Sequence, residues 1–435
     1  MRRLSNYGML GVLILLGILF SILTVRPQNP TGEAGARAIV RRLEGSGPVL
    51  IVGRAGEGDV QFARSLAARL GSSRVAGTVT GDPAALRAEL GRANLPPGIT
   101  IATLQSYAPT VGAVLSELPV LSGARIVTPP SYRWPTFLLR DNLRNVANQI
   151  AVIALVAVGM TMVIITGGID LSVGSLIALA AVAATGVITH LGGEAASAGG
   201  MVAGAVVAIV VCALFGAFSG LTITRFRVPP FIATLAVMQV ASGIAYILSK
   251  GRPIYQVPES FVGLGRGADP IVGVPYAVLL MGILFVAAHF LMSRTVLGRY
   301  IYAVGGNAEA ARLAGVRVNS VLMFAYVMSA ALAGLGGVVM ASQLKSGAPT
   351  YGVTYELYVI AAVVVGGTSL SGGEGRILGT LIGAFIIAVI QNGMNLTNVE
   401  SYTQKVVLGL VILGAVLLDR LKHQGEGWFR RKGRL

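Results

Sequence analysis

Apolar residues in this chain come in blocks of roughly twenty rather than at alternating positions. The blocks lie at about 8–25, 147–166, 171–190, 200–222, 231–249, 272–292, 320–342, 354–368, 377–394 and 403–419. A helix needs about 20 largely apolar residues to cross the hydrocarbon core of a bilayer. Lipid satisfies no backbone polar group, so the spanning choices are helices or a closed barrel. Strict apolar/polar alternation is absent, and the pattern predicts ten transmembrane helices. The block at 354–368 is short, and the one at 171–190 begins beside Asp170.

Residues 26–135 break this pattern. Pro27, Pro30 and Gly32 open the segment. Helix-like stretches at Ala34–Leu43, Gln61–Leu70 and Pro83–Leu90 then alternate with strand-like stretches at Val49–Gly53, Arg74–Val79 and Ile99–Leu104. A last apolar stretch, Ala124–Val127, precedes Pro129 and Pro130. Strands alternating with short helices predict βαβ units on a parallel sheet. The fold class is therefore an all-α polytopic membrane protein with a small inserted extracytoplasmic α/β domain. Its divisions are a transmembrane anchor (1–25), the α/β domain (26–135), a transmembrane body (136–420) and a basic tail (421–435). Arg2-Arg3 before the first apolar block also suits a secretory signal peptide; the long apolar run favours an uncleaved anchor. The proline-rich ends of the insertion suggest a semi-rigid mount.

Composition then removes function classes. The chain is 54% hydrophobic and only 12% charged, against roughly 25% charged residues in soluble domains. The net charge of +16 does not call for nucleic acid, because its placement follows the positive-inside rule. With Arg2 and Arg3 inside and ten spans threaded, Arg225, Arg227, Arg294, Arg299, Arg312, Arg317 and Arg376 all fall inside. So does the tail, with Arg420, Lys422, Arg430, Arg431, Lys432 and Arg434. Outer loops keep Lys250, Arg252, Arg266 and Lys345. Both termini are therefore expected in the cytoplasm. The single cysteine, Cys212, lies in an apolar block, where a buried inert thiol is expected. Gly53 and Gly58 have the P-loop interval, but Asp59 occupies the place of the phosphate-binding lysine, so a structural strand-to-helix turn is expected there. His190, His289 and His423 are scattered. No metal site, catalytic constellation or cofactor is expected in this chain.

Four ordered motifs carry a resemblance. The first is Asn142-Leu143-Arg144-Asn145-Val146, followed by Val158-Gly159-Met160-Thr161 and Thr166-Gly167-Gly168-Ile169-Asp170-Leu171-Ser172-Val173-Gly174-Ser175. The second is Pro230-Phe231-Ile232-Ala233-Thr234-Leu235. The third runs from Leu297-Gly298-Arg299-Tyr300 to Gly305-Gly306-Asn307. The fourth is Tyr355-Glu356-Leu357 with Gly366-Gly367-Thr368-Ser369-Leu370-Ser371-Gly372-Gly373. From Thr136 to Asp419 the chain resembles the ribose-type permeases of ABC importers. The outer α/β insertion departs from the usual pattern of such permeases. The resemblance implies a permease that hydrolyses no ATP itself and works with a separate ABC ATPase subunit. It further implies an extracytoplasmic sugar-binding protein and a second permease copy.

Within that frame several residues stand out. Gly298, Arg299, Glu309, Ala310, Ala311 and Gly315 lie in the basic loop 293–319. Glu309-Ala310-Ala311, with Gly315 four positions after Ala311, is similar to the EAA…G signature that docks an importer permease onto its ATPase. Asp170 and Ser172 sit at the edge of a span, and Asp170 is open to two readings. It caps the helix starting at Leu171, or it contacts substrate as intramembrane ions do by default. Gln391, Asn392, Asn395 and Asn398 cluster at one outer helix end, where amides serve either sugar hydroxyls or helix–helix packing. The Gly-Gly-x-Asp/Ser-Leu-Ser-x-Gly pattern at 167–174 recurs at 366–373, an offset of 199, as a parallel repeat would. Two other functions remain open on sequence alone: a secondary transporter, and a membrane sensor whose outer domain binds a ligand.

Overall fold

The computed structural model describes residues 2–92, 95–96, 98–118, 121 and 123–432, with side chains described from Gly8 to Gly91 and on to Leu417 with short breaks. The chain divides into two compact units, Met1–Leu23 with Phe137–Leu435, and Thr24–Thr136.

The smaller unit holds two sheets. Strand β1 (Val25–Gln28) pairs antiparallel with β6 (Tyr132–Pro135). This ribbon stands where the prolines of the sequence suggest only linkers, and both strands keep their prolines at the ribbon's ends or edges. The second sheet is parallel throughout, in the order β3-β2-β4-β5, from β2 (Val49–Gly53), β3 (Val75–Thr80), β4 (Thr100–Thr103) and β5 (Arg125–Val127). Helices α2 (Gly32–Val40), α3 (Glu57–Leu70), α4 (Pro83–Arg92) and α5 (Ala108–Ser116) cover its two faces. One apolar cluster gathers Ile39, Ile51, Phe62 and Leu66; the other gathers Leu50, Val52, Leu86, Ile101 and Val111. Strand β2 alternates between the two clusters, so all five of its residues are buried, as a strand covered on both faces must be. After β2 the Arg54 N–H donates to Asp59 Oδ1 (3.0 Å), and the turn is held by a side-chain bond. The Arg54 guanidinium donates to the Ser106 carbonyl and lies 5.3 Å from the Tyr107 ring centre. It thereby bridges the segments that follow β2 and β4.

The larger unit is helical. Its elements are α1 (Arg2–Leu23), α6 (Arg140–Ile165), α7 (Val173–His190), α8 (Ala198–Arg225), α9 (Pro230–Ser249), α10 (Gly263–Arg266), α11 (Tyr276–Arg294), α12 (Val296–Gly306), α13 (Ala308–Leu313), α14 (Val318–Leu344), α15 (Tyr355–Val365), α16 (Ile377–Leu396) and α17 (Ser401–Lys432). Among the described residues, seven helices are long and apolar enough to cross a membrane: α6, α7, α8, α9, α11, α14 and α16. Three more apolar stretches are shorter, at Gly8–Leu23, Tyr355–Val365 and Ser401–Leu417. The basic tail at 421–435 continues α17 to Lys432; its side chains, and residues 433–435, lie outside the described residues.

Burial separates the helices by role. Helix α6 is enclosed over nearly its whole apolar length, whereas α8, α9 and α11 are mostly exposed. Their apolar exposed side chains, Val206, Leu214, Phe218, Ile247, Ile283 and Phe290 among them, fit a lipid-facing surface. Small residues let the central helices touch. A methyl on Gly159 (α6) would lie 2.5 Å from Ser329 Cα (α14), and one on Gly337 (α14) 2.5 Å from the Ile177 carbonyl (α7). Lipid gives apolar helices no drive to associate, so backbone approach of this kind supplies the packing.

Candidate functional site

Two regions at opposite ends of the helical unit gather the residues singled out by sequence. The first surrounds the C-terminal ends of α6 and α15. Helix α6 stops at Thr166, and Gly167 turns into the left-handed region at φ 83°; α15 stops at Gly366, and Gly367 does the same at φ 85°. The Gly167 and Gly168 N–H groups close the end of α6 onto Ile164 and Val163 (2.9 and 3.1 Å). Gly367 and Thr368 close α15 onto Val364 and Val363 (2.8 and 3.2 Å). These helix ends are equivalent at an offset of 200. The turn that follows keeps the offset of 199: Asp170 Oδ1 accepts from the Ser172 N–H, and Ser369 Oγ accepts from the Ser371 N–H. One extra residue in the first copy separates cap from turn.

Asp170 is 2% exposed. It accepts from the Ser172 N–H (3.0 Å), the Ser172 hydroxyl (2.6 Å) and, across to α14, the Ser329 hydroxyl (2.9 Å). Helix α7 begins at Val173, with Ser172 at its N-cap position and no side-chain cap bond. Asp170 thus closes a turn one step ahead of the helix and ties it to α14. Thr234, from the second motif, accepts from the Leu171 N–H (3.1 Å) and donates to Ile169 (3.3 Å), holding the same turn from α9.

The third and fourth motifs meet at this end as well. The Gly373 N–H donates to the Ile165 carbonyl (2.8 Å), and the Tyr302 hydroxyl donates to the Gly375 carbonyl (2.8 Å). Burial pushes the Tyr302 phenol above its ordinary pKa, so it remains a donor at neutral pH. Gly298 sits at the start of α12, where its N–H is capped by Thr295 Oγ1 (3.1 Å) and its bare Cα faces the Leu291 and Met292 carbonyls. Arg299 is exposed. Asn307 caps α13 through the Ala310 N–H (2.9 Å), Glu309 pairs with Arg312 on the surface (2.8 Å), and Ala311 is buried. Gly315 ends α13 at φ 84°. Among the described residues, the exposed side chains of α13 make one ion pair, Glu309 with Arg312.

At the other end lies a cavity of about 400 Å³ between α6, α14, α15 and α16. Val146, Ile150, Ile153, Met340 and Ala388 supply its apolar wall, and Gln149, Gln343, Gln391, Tyr355 and Tyr358 its polar groups. The Gln343 amide donates to the Asn148 carbonyl (2.9 Å), which fixes it against α6. Of the amides singled out at this end, Gln391 lines the cavity. Asn392 instead forms a reciprocal pair with Asn142 (3.0 and 2.9 Å), and Asn395 accepts from Gln404 (2.8 Å). Sequence reasoning missed Gln149 and Gln343; a lone amide inside an apolar span was the available signal. Among the described residues no three His, Cys, Asp or Glu side chains converge on a metal-sized site.

A family described as "Branched-chain amino acid transport system / permease component" matches residues 142–416. The ribose import permease protein RbsC of Escherichia coli K12 is 45% identical over 297 residues, covering 66% of this chain and 88% of the relative. That of Bacillus subtilis is 44% identical over 288 residues, covering 66% and 87%. The L-arabinose transport system permease protein AraH of Escherichia coli is 36% identical over 292 residues, covering 67% and 86%. No solved structure matches.

Proposed function

The chain belongs to the family of branched-chain amino acid transport system permease components, and on that premise we propose that it is the membrane subunit of an ATP-driven importer for a ribose-like simple sugar. It is a multi-pass protein of the bacterial inner membrane. The observation that carries the substrate class is 45% identity to a ribose permease over 88% of that protein. The cavity is compatible with it: three glutamine amides and two phenols can donate to and accept from hydroxyls, and the apolar wall suits the carbon face of a sugar ring.

In this reading ten helices span the membrane, the seven long ones together with the shorter apolar stretches of α1, α15 and α17. Both termini are cytoplasmic. The glycine-rich ends of α6 and α15 then face the cytoplasm beside α12 and α13, and the cavity opens outward. An ABC ATPase docks on α12–α13, with the exposed Glu309, Ala310 and Gly315 in its contact and the buried Ala311 anchoring α13 to the core beneath. A sugar-binding protein delivers substrate from outside, and a second permease copy completes the pathway. The unit Thr24–Thr136 lies outside and serves as a platform for the binding protein. The chain itself carries no cofactor. The test is to purify the full chain with its ATPase and measure hydrolysis as sugar-loaded binding protein is added. Stimulation by the loaded binding protein supports the proposal; an ATPase that fails to co-purify contradicts it.

A further inference from the structure

We propose that Gly305, Gly372 and Gly373 form a backbone clasp through which the α12–α13 segment moves the ends of α6 and α15 as one piece. The inference rests on the importer reading and names the residues that would carry its mechanical step. At the clasp the chain comes together with no side chains between. A methyl on Gly305 would overlap the Ile165 carbonyl and lie 2.6 Å from the Gly373 nitrogen. One on Gly372 would lie 2.9 Å from the Gly305 carbonyl and 3.1 Å from Gly167 Cα. One on Gly373 would lie 2.9 Å from Gly306 Cα, and the left-handed backbone at Gly372 and Gly373 (φ 82° and 76°) makes a side chain there strained in addition.

Two hydrogen bonds fasten the contact: the Gly373 N–H to Ile165, and the Tyr302 hydroxyl to Gly375. One short stretch of α12 thus holds both the last residue of α6 and the loop after α15. Those two helices carry Gln149, Tyr355 and Tyr358 into the cavity at their other ends. Packed elements move as rigid pieces between discrete arrangements rather than deforming continuously, so displacement of α12 passes to both cavity walls together.

Gly282, exposed on α11 away from the docking segment, supplies the control, because a methyl there meets nothing within 4 Å. The full chain with its ATPase and binding protein would be reconstituted in liposomes as wild type, Gly305→Ala and Gly282→Ala. Overpacking costs make the expected loss of stimulated hydrolysis and uptake in Gly305→Ala on the order of ten- to hundredfold, with the ATPase still bound. Gly282→Ala should stay within about twofold of wild type. Should Gly305→Ala fail to assemble, Tyr302→Phe removes one fastening bond without overpacking and is expected to lower stimulation about two- to tenfold. Wild-type coupling in Tyr302→Phe and in any Gly305→Ala that assembles, or equal loss in Gly282→Ala, would overturn the clasp. A wild type that binds no ATPase would instead remove the importer reading beneath it.

Discussion

Replacing Asp170 with alanine would strip three donors of their acceptor in a site that water does not reach. The Ser172 N–H and hydroxyl and the Ser329 hydroxyl all point at this carboxylate. A buried donor left unmet costs about 1–3 kcal/mol. Ser329 lies inside α14 and can turn back to the carbonyl four residues earlier, which offsets part of the loss. The net cost for Asp170→Ala comes to about 2–5 kcal/mol. Asp170→Asn keeps a carbonyl oxygen for Ser172 and offers its amide to the Ser329 oxygen, so its cost should stay near 1 kcal/mol. Cys212 is a built-in reporter: it is the chain's one cysteine, fully buried against the Leu176 carbonyl. A thiol-reactive fluorophore will report unfolding when heating exposes it. At roughly 2–4 °C per kcal/mol, alanine should lower the midpoint by about 4–20 °C and asparagine by a few degrees. Sugar uptake should survive in Asp170→Asn. An alanine variant melting with the wild type would refute the structural assignment. An asparagine variant that melts normally but transports nothing would show that the charge itself takes part.

Other perturbations separate the two ends of the molecule. Gln149→Leu and Gln391→Leu should each weaken uptake about tenfold, as a lost hydrogen bond to a hydroxyl of substrate would, with unchanged Cys212 melting; normal uptake in both would remove the cavity from the pathway. Glu309→Lys should leave melting unaltered, because an exposed ion pair contributes about 0–1 kcal/mol, yet reduce recovery of the ATPase on the purified permease. In a Cys212→Ala background, a cysteine at Ser72 should react with an impermeant reagent in whole cells and one at Ser320 only after lysis. Labelling of the second from outside would overturn the ten-span topology.

Apolar blocks made most helices legible: the block at 231–249 corresponds to α9 at Pro230–Ser249, and strand β2 falls on its expected residues. Helix α5 escaped notice because Ala108-Pro109 at its start resembles a turn, although proline is well suited to the first helical positions. The β1–β6 ribbon escaped because its partners are 108 residues apart at Arg26 and Trp134, and no local pattern encodes such pairing. Asp170 was visible as a charge beside a span, but its partner Ser329 was not, since the tie to α14 is tertiary. The glycines of the two motif copies were plain in sequence; that Gly305 packs against Gly372 and Gly373 required the fold. Amides divided similarly. Asn392 and Gln391 are neighbours in sequence, and only their rotation about α16 sends one to Asn142 and the other into the cavity.

Uptake of labelled ribose into liposomes bearing the permease, its ATPase and the binding protein tests the central claim most directly. Accumulation should require ATP and the binding protein together, and collapse of proton and sodium gradients should not change it. Uptake that follows an ion gradient without ATP would contradict the account and make the chain a secondary transporter.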